Sequence, residues 1–221
     1  MAAGDVRSSA VGVVREYLDA LIVAGLAALF LITFVIRTYY IPSISMIPTL
    51  DVRDVLLVDE TAYHFGKPQH GDIAVFMPPV RSQGNAFVKR VIAIPGDTLR
   101  ISNGVVYRNG IALAEPYENQ PPNYDLQIEH YDIYVDGQPL DPHNADIPPK
   151  SMWQSPDRVP DGFYVMLGDN RNYSEDSHVW GFAQIHGSFV AGPLAGSKHR
   201  AAFTGRAFLI LWPFGRIRIL K

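Results

Sequence analysis

Ala20 to Ile36 reads ALIVAGLAALFLITFVI, seventeen residues without a charge, closed off by Asp19 before and Arg37 after. As a helix rising 1.5 Å per residue the run would be about 25 Å long, close to the hydrocarbon thickness of a bilayer once Tyr17 and Leu18 add to it. A helix that is apolar all round needs lipid or protein on every side, and the rest of the chain is β-rich and modest in size. The sequence therefore predicts a transmembrane anchor over 17–38, preceded by a short segment over 1–16. The residues after the run, RTYYIPS, lack a small-x-small cleavage pattern, so the anchor is expected to be retained. Tyr39 and Tyr40 follow where amphipathic rings favour a lipid-water boundary. Arg7 and Arg15 on one side are matched by Arg37 and Arg53 on the other, so charge leaves the orientation open.

From residue 39 to residue 221 the pattern is one of short apolar runs between turn residues. Val55 to Val58, Ile73 to Met77, Phe87 to Ile94 and Phe163 to Leu167 read as buried strands, and Ala207 to Trp212 with Arg216 to Lys221 as closing strands. Asn109-Gly110 and Asp136-Gly137 tolerate the positive φ of tight turns, so each predicts a hairpin. Between Glu115 and Asp161 prolines and polar residues dominate, which predicts an irregular, loop-rich elaboration without chemistry of its own. The fold class is mainly β, preceded by one N-terminal transmembrane helix.

Composition narrows the chemistry. The chain has no cysteine, which removes thiolate nucleophiles, disulfides and Cys-based zinc sites together. A net charge of -3 offers no positive field for a phosphate backbone, so nucleic acid is not expected as a partner. None of the seven histidines forms the His-Glu-x-x-His spacing that places two ligands on one helical face, so neither a metal nor another cofactor is expected. Any nucleophile has to be oxygen-based.

Three segments carry candidate chemistry. In Ile41-Pro42-Ser43-Ile44-Ser45-Met46-Ile47-Pro48-Thr49-Leu50 two prolines fix φ and deny backbone donors, which predicts a rigid extended loop. Such a loop suits a hydroxyl nucleophile beside free backbone amides, or serves as a plain Pro/Ser linker, although a solvated linker seldom holds so many apolar residues. In Phe87-Val88-Lys89-Arg90-Val91-Ile92-Ala93-Ile94, alternation puts Lys89 with Phe87, Val91 and Ala93, and Arg90 with Val88, Ile92 and Ile94. One cation is thus set against apolar side chains. Only a desolvated lysine can lose its proton and act as a base, which needs its pKa near about 8 or below; the alternative is a lysine snorkelling to water. The third segment, Gly168 to Phe182, packs hydroxyls and ionisable groups into a turn-rich loop, either as an orienting element or as an Asx-rich structural turn. Asp169, Glu175 and Asp176 also invite calcium, but without the regular carboxylate spacing of a calcium hand.

Together these segments resemble type I signal peptidases, a membrane-bound family of serine proteases. The resemblance rests on an anchor, then Pro42-Ser43-x-Ser45-Met46-x-Pro48-Thr49-Leu50, then Lys89-Arg90 with Pro95-Gly96-Asp97, then Gly168-Asp169-Asn170 with Ser174, Asp176 and Trp180-Gly181-Phe182, in that order over most of the chain. It implies a signal-peptidase-like β core, with Ser45 as nucleophile and Lys89 as the neutral lysine that takes its proton. The Ser45 amide and Ser43 hydroxyl are implied as the oxyanion hole, Ser174 as the serine that orients the lysine, and Asp176 as support for its loop. Ile41, Pro42, Met46, Leu50, Phe87 and Val88 fall where the family has shallow apolar walls for small side chains. The implied partners are preprotein signal peptides, cleaved after a small-x-small motif, and membrane lipid. The same resemblance puts residues 1–16 in the cytoplasm and the catalytic domain, 39–221, on the extracytoplasmic side of the inner membrane. Asn172-Tyr173 and His178 depart from the common pattern, the last replacing an arginine, so the ion pairing of that loop is expected to differ.

Rival readings are a self-cleaving Ser-Lys repressor-type protease, a peptidase specialised for a conjugation or pilin pathway, and a membrane-tethered β module that binds peptides without cutting them. The apolar run argues against the first, and the presence of both Ser45 and Lys89 against the last. Neither the oligomeric state nor individual substrates can be read from the chain.

Overall fold

The computed structural model describes residues 3–78, 85–142, 144–184 and 203–220, with side chains for all of these except 3–11 and 31–34. The chain divides into two compact units, Met1–Arg37 and Thr38–Lys221.

The first unit is built on one helix, α1 (Ala3–Phe34). Leu21, Ile22, Leu26, Leu29 and Phe30 are exposed on it, as a lone apolar helix must leave them. Its described side chains include the charged Arg15, Glu16 and Asp19. Among the described residues no helix is long and apolar enough to cross a membrane. The helix also stops short of the expected boundary at residue 38, because Ile36–Tyr40 is a strand; Ile, Thr and two Tyr favour the extended pleat over a further helical turn.

The strands, in chain order, are β1 (Ile36–Tyr40), β2 (Val55–Asp59), β3 (Ile73–Phe76), β4 (Phe87–Ala93), β5 (Leu99–Ser102), β6 (Val105–Arg108) and β7 (Ile111–Ala112). Then come β8 (Leu126–Glu129), β9 (Asp132–Val135), β10 (Gln138–Pro139), β11 (Phe163–Leu167), β12 (Ala183–Gln184), β13 (Phe203–Trp212) and β14 (Arg218–Ile219). Two further short helices are α2 (Ala62–Phe65) and α3 (Ser177–Trp180). One sheet runs β1-β2-β13-β3-β4-β11-β12 with β14 on β13, and a second runs β10-β9-β8-β5-β6-β7.

The hairpins form as the dipeptides predict: Asn109 and Gly110 link β6 to β7 at φ 53° and 78°, and Asp136 and Gly137 link β9 to β10 at φ 51° and 76°. Asn103-Gly104 and His130-Tyr131 make two more such turns, with φ of 52°, 77°, 51° and 69°. The 115–161 stretch is less irregular than its composition suggests, since it supplies β8, β9 and β10. Leu126, Ile128 and Ile133 alternate inward there, against Ile101, Trp153 and Phe182, and that burial outweighs the neighbouring prolines. β4 joins the two sheets' cores: Ile92 and Ala93 pack with the second sheet, while Val91 packs with Tyr63, Phe76 and Trp180 on another face.

Candidate active site

The segment between β1 and β2 is a turn rather than the extended loop expected. Ile47 N–H donates to Ile44 O, and Leu50 N–H donates to Met46 O at 2.8 Å, winding 44–50 into a compact bend. Met46 and Leu50 drive it, both buried among Ile41, Leu56, Val58 and Ile210. The bend sets Ser45 beside β4, where Lys89 Nζ donates to Ser45 Oγ at 2.7 Å. Ser43 Oγ stands 3.4 Å from the same oxygen.

Lys89 is 4 % exposed, and its Nζ lies over the Phe87 ring, 5.4 Å from the ring centroid. Burial pushes its pKa down to about 8, against the opposing pull of Asp176, Glu175 and Asp169. Alternation predicts that one of the two adjacent cations is buried; both are. Arg90 is accommodated because Asp169 neutralises it, with Nε donating to Oδ1 at 2.8 Å and Nη2 to Oδ2 at 2.7 Å. Tyr117 covers the guanidinium at 3.8 Å. A planar, permanently charged fork is tolerable inside when a carboxylate meets it in two places, whereas Lys89 has no carboxylate in direct contact among the described residues and can shed its charge.

The loop after β11 closes the site from the other side. Gly168 permits the approach: a Cβ there would lie 2.3 Å from Ser174 Oγ and 2.4 Å from Ser45 O. Asn170 N–H donates to Ser45 O at 3.1 Å and its Nδ2 donates to Ile44 O at 3.1 Å. Asp176 accepts from Gly168 N–H at 2.9 Å and meets His178 Nδ1 at 2.7 Å, so its partner is the histidine. His178 in turn stacks on Tyr124 at 4.3 Å. Arg171 turns instead to Glu115 (2.7 and 2.9 Å) and Glu118 (3.6 Å). Ser174 is buried beside Ser45, but its Oγ has no hydrogen-bond partner among the described residues; a contact with the lysine amine is not made.

A groove of about 830 Å³ runs over this dyad, lined by Tyr39, Tyr40, Ile41, Pro42, Ser43, Ile44, Ser45, Met46, Met77, Asn85, Ala86, Phe87, Val88, Lys89, Tyr173, Glu175 and Thr204. Five of the six residues expected to form apolar walls line it; Leu50 does not, being wholly buried in the core. Sequence reasoning missed the roles of Asn170, Arg90 and Asp169, although all three lie in the motifs that carry the resemblance. It also missed Glu115, Tyr117 and Asn119, which carry no local pattern. Among the described residues no cluster of acidic or histidine side chains could hold a metal ion. The arrangement, a buried hydroxyl against a readily neutralised amine at the floor of an open groove, can remove a proton from the hydroxyl as it attacks an extended chain.

A family model described as signal peptidase, peptidase S26, matches residues 14–212. The chain is 43% identical over 175 residues to "Probable signal peptidase I-1" of Synechocystis sp., covering 76% of this chain and 75% of that one. It is 35% identical over 204 residues to "Probable signal peptidase I-2" of the same organism, covering 90% and 74%. To "Signal peptidase I" of Leptolyngbya laminosa it is 36% identical over 196 residues, covering 86% and 75%.

Proposed function

We propose that this chain, which belongs to the peptidase S26 family of signal peptidases and is thus a serine endopeptidase, removes signal peptides with Ser45 as nucleophile and Lys89 as general base. The observation that carries this reading is the 2.7 Å contact between Lys89 Nζ and Ser45 Oγ at the floor of the groove. When the amine is neutral its lone pair faces the hydroxyl, so the same contact lets Ser45 O–H donate to Nζ. Attack on the scissile carbonyl then passes the proton to Lys89 and forms a tetrahedral intermediate, which collapses to an acyl-enzyme as the C–N bond breaks and the ammonium gives that proton to the departing amine. A water activated by the regenerated neutral amine then releases the acyl group. The Ser45 N–H and the Ser43 hydroxyl are the proposed donors to the oxyanion, acting on charge that develops only in the transition state. Ser174 is proposed to orient the amine once substrate is bound, and Asp176 to support its loop.

The substrate is proposed to lie in the groove as an extended strand, with main-chain hydrogen bonds for affinity and alternate side chains entering shallow pockets. Ile41, Pro42, Met46, Phe87 and Val88 leave room there for small side chains, which supports cleavage after a small-x-small motif. Retention in the inner membrane, with residues 39–221 on the extracytoplasmic side, is proposed from the uncharged run Ala20 to Ile36 and the exposed apolar side chains of α1. The test is cleavage of a model preprotein by the full chain in detergent, with the new N-terminus sequenced. A cut after a small-x-small site supports the reading; binding without a cut by the folded chain rejects it.

A further inference from the structure

Asn170 grips the Ser45 turn at two successive carbonyls, taking Ser45 O with its main-chain N–H and Ile44 O with its side-chain Nδ2, each at 3.1 Å. Ile44 O and the Ser45 N–H belong to one peptide unit, and in a trans peptide they point in opposite directions. Holding Ile44 O on the Asn170 side therefore turns the Ser45 N–H away from Asn170, and no hydrogen bond among the described residues occupies that N–H. A donor is useful to an oxyanion only if its direction is set beforehand. The two Asn170 contacts set it from outside the turn, alongside the Ile47 N–H that donates to Ile44 O at 3.2 Å from within it.

The Asn170 amide has its own keeper. Asn119 Nδ2 donates to Asn170 Oδ1 at 3.2 Å, and Asn119 N–H is tied to Asp169 O at 2.9 Å. A main-chain carbonyl only accepts, so Ile44 O requires the NH2 end of Asn170, which leaves the oxygen end for Asn119. Asn119 comes from the stretch that shows no motif in the sequence. We propose that Asn170 is a positioning residue that aims the Ser45 amide at the developing oxyanion, and that Asn119 fixes the Asn170 amide in the orientation this needs. The proposal rests on Ser45 being the nucleophile.

The test uses the full chain in detergent with a model preprotein, comparing Asn170→Asp and Asn119→Asp with the parent. Asn170→Asp keeps the shape and the main-chain contact but sets an oxygen against Ile44 O. Asn119→Asp sets an acceptor against Asn170 Oδ1 and favours turning the Asn170 amide over, from a site with no contact to the dyad. Each should lower kcat on the order of tenfold to a hundredfold, less than the roughly hundredfold to thousandfold seen when an oxyanion donor is removed outright, because the donor here is misaimed rather than lost. KM should stay within about twofold, because the ground-state groove is untouched. Affinity for a peptide boronate that mimics the tetrahedral adduct should fall with kcat, a split that a general loss of packing would not give. Should Asn170→Asp fail to fold, Asn119→Asp decides the matter. Unchanged kcat in the folded variants, or a loss seen in KM instead, overturns the proposal. Ser45→Ala run alongside separates the failures: an inactive Ser45→Ala with unaffected asparagine variants rejects the positioning role alone, and an active Ser45→Ala rejects both readings.

Discussion

Lys89 Nζ and Ser45 Oγ, 44 residues apart in the chain, meet at 2.7 Å because one sits on a central strand and the other on a turn whose apolar residues are sunk in the same protein. The strand supplies rigidity and dryness, and the turn supplies a hydroxyl with its neighbouring amide. Burial then lowers the amine's pKa to about 8, which suits it to the proposed role of base.

The first consequence is a pH-rate profile. kcat/KM should rise with pH and level off above about 8, reporting loss of the Lys89 proton in the free enzyme. The Glu175 carboxylate on the groove rim opposes that loss. Glu175→Gln should therefore move the acid limb to lower pH, and initial rates measured across pH with one peptide substrate would reveal it.

A second consequence concerns stability. The folded pKa of Lys89 is about 8 against 10.5 for the free side chain. Below 8 both folded and unfolded chains carry the proton, and the buried charge is a constant cost. Between 8 and 10.5 the unfolded chain holds more protons, so this group's contribution to stability improves as pH rises, on the order of 3 kcal/mol across the window. Lys89→Met, which never carries the charge, should be more stable than the parent at pH 7, with the gain shrinking toward pH 10. Urea unfolding at both pH values checks the sign.

Arg90 and Asp169 make a different use of burial. Removing either partner, as in Arg90→Met or Asp169→Asn, strands a charge or a fork of donors in the interior. Losses of about 3 to 5 kcal/mol are expected for breaking a buried pair one side at a time. The double variant should lose less than the sum, and a double-mutant cycle by chemical unfolding measures the difference.

Two glycines separate packing from catalysis. A Cβ at Gly168 would lie 2.4 Å from Ser45 O, and one at Gly205 would lie 2.4 Å from Asp59 O. Both alanine variants should be destabilised by about 1 to 3 kcal/mol through overcrowding. Only Gly168→Ala should also lower kcat per folded molecule, since the atom it displaces belongs to the proposed nucleophile's own residue. Activity normalised to the folded fraction distinguishes the two.

What could be read beforehand follows the range of the forces involved. Hairpin turns depend on two residues, so Asn109-Gly110 and Asp136-Gly137 announce themselves. That Ser45 and Lys89 come together is legible from motif order and from the need for a titratable cation among apolar neighbours. Depth is less legible: Leu50 lies one turn beyond Met46, and nothing local says that one borders the groove while the other fills the core. Contacts such as Arg171 with Glu115 and Asn170 with Asn119 join residues more than fifty positions apart. They arise from how two sheets come together, which no single segment encodes. The strands within 115–161 were hidden because prolines mark their ends, while three inward apolar residues hold them in place.

The most direct measurement of the central claim is preprotein cleavage by the full chain beside Ser45→Ala and Lys89→Ala, with folding of each checked by circular dichroism. The account predicts that the parent cuts after a small-x-small site and that both folded variants lose activity by several orders of magnitude. Cleavage near the parent rate by either folded variant would contradict it.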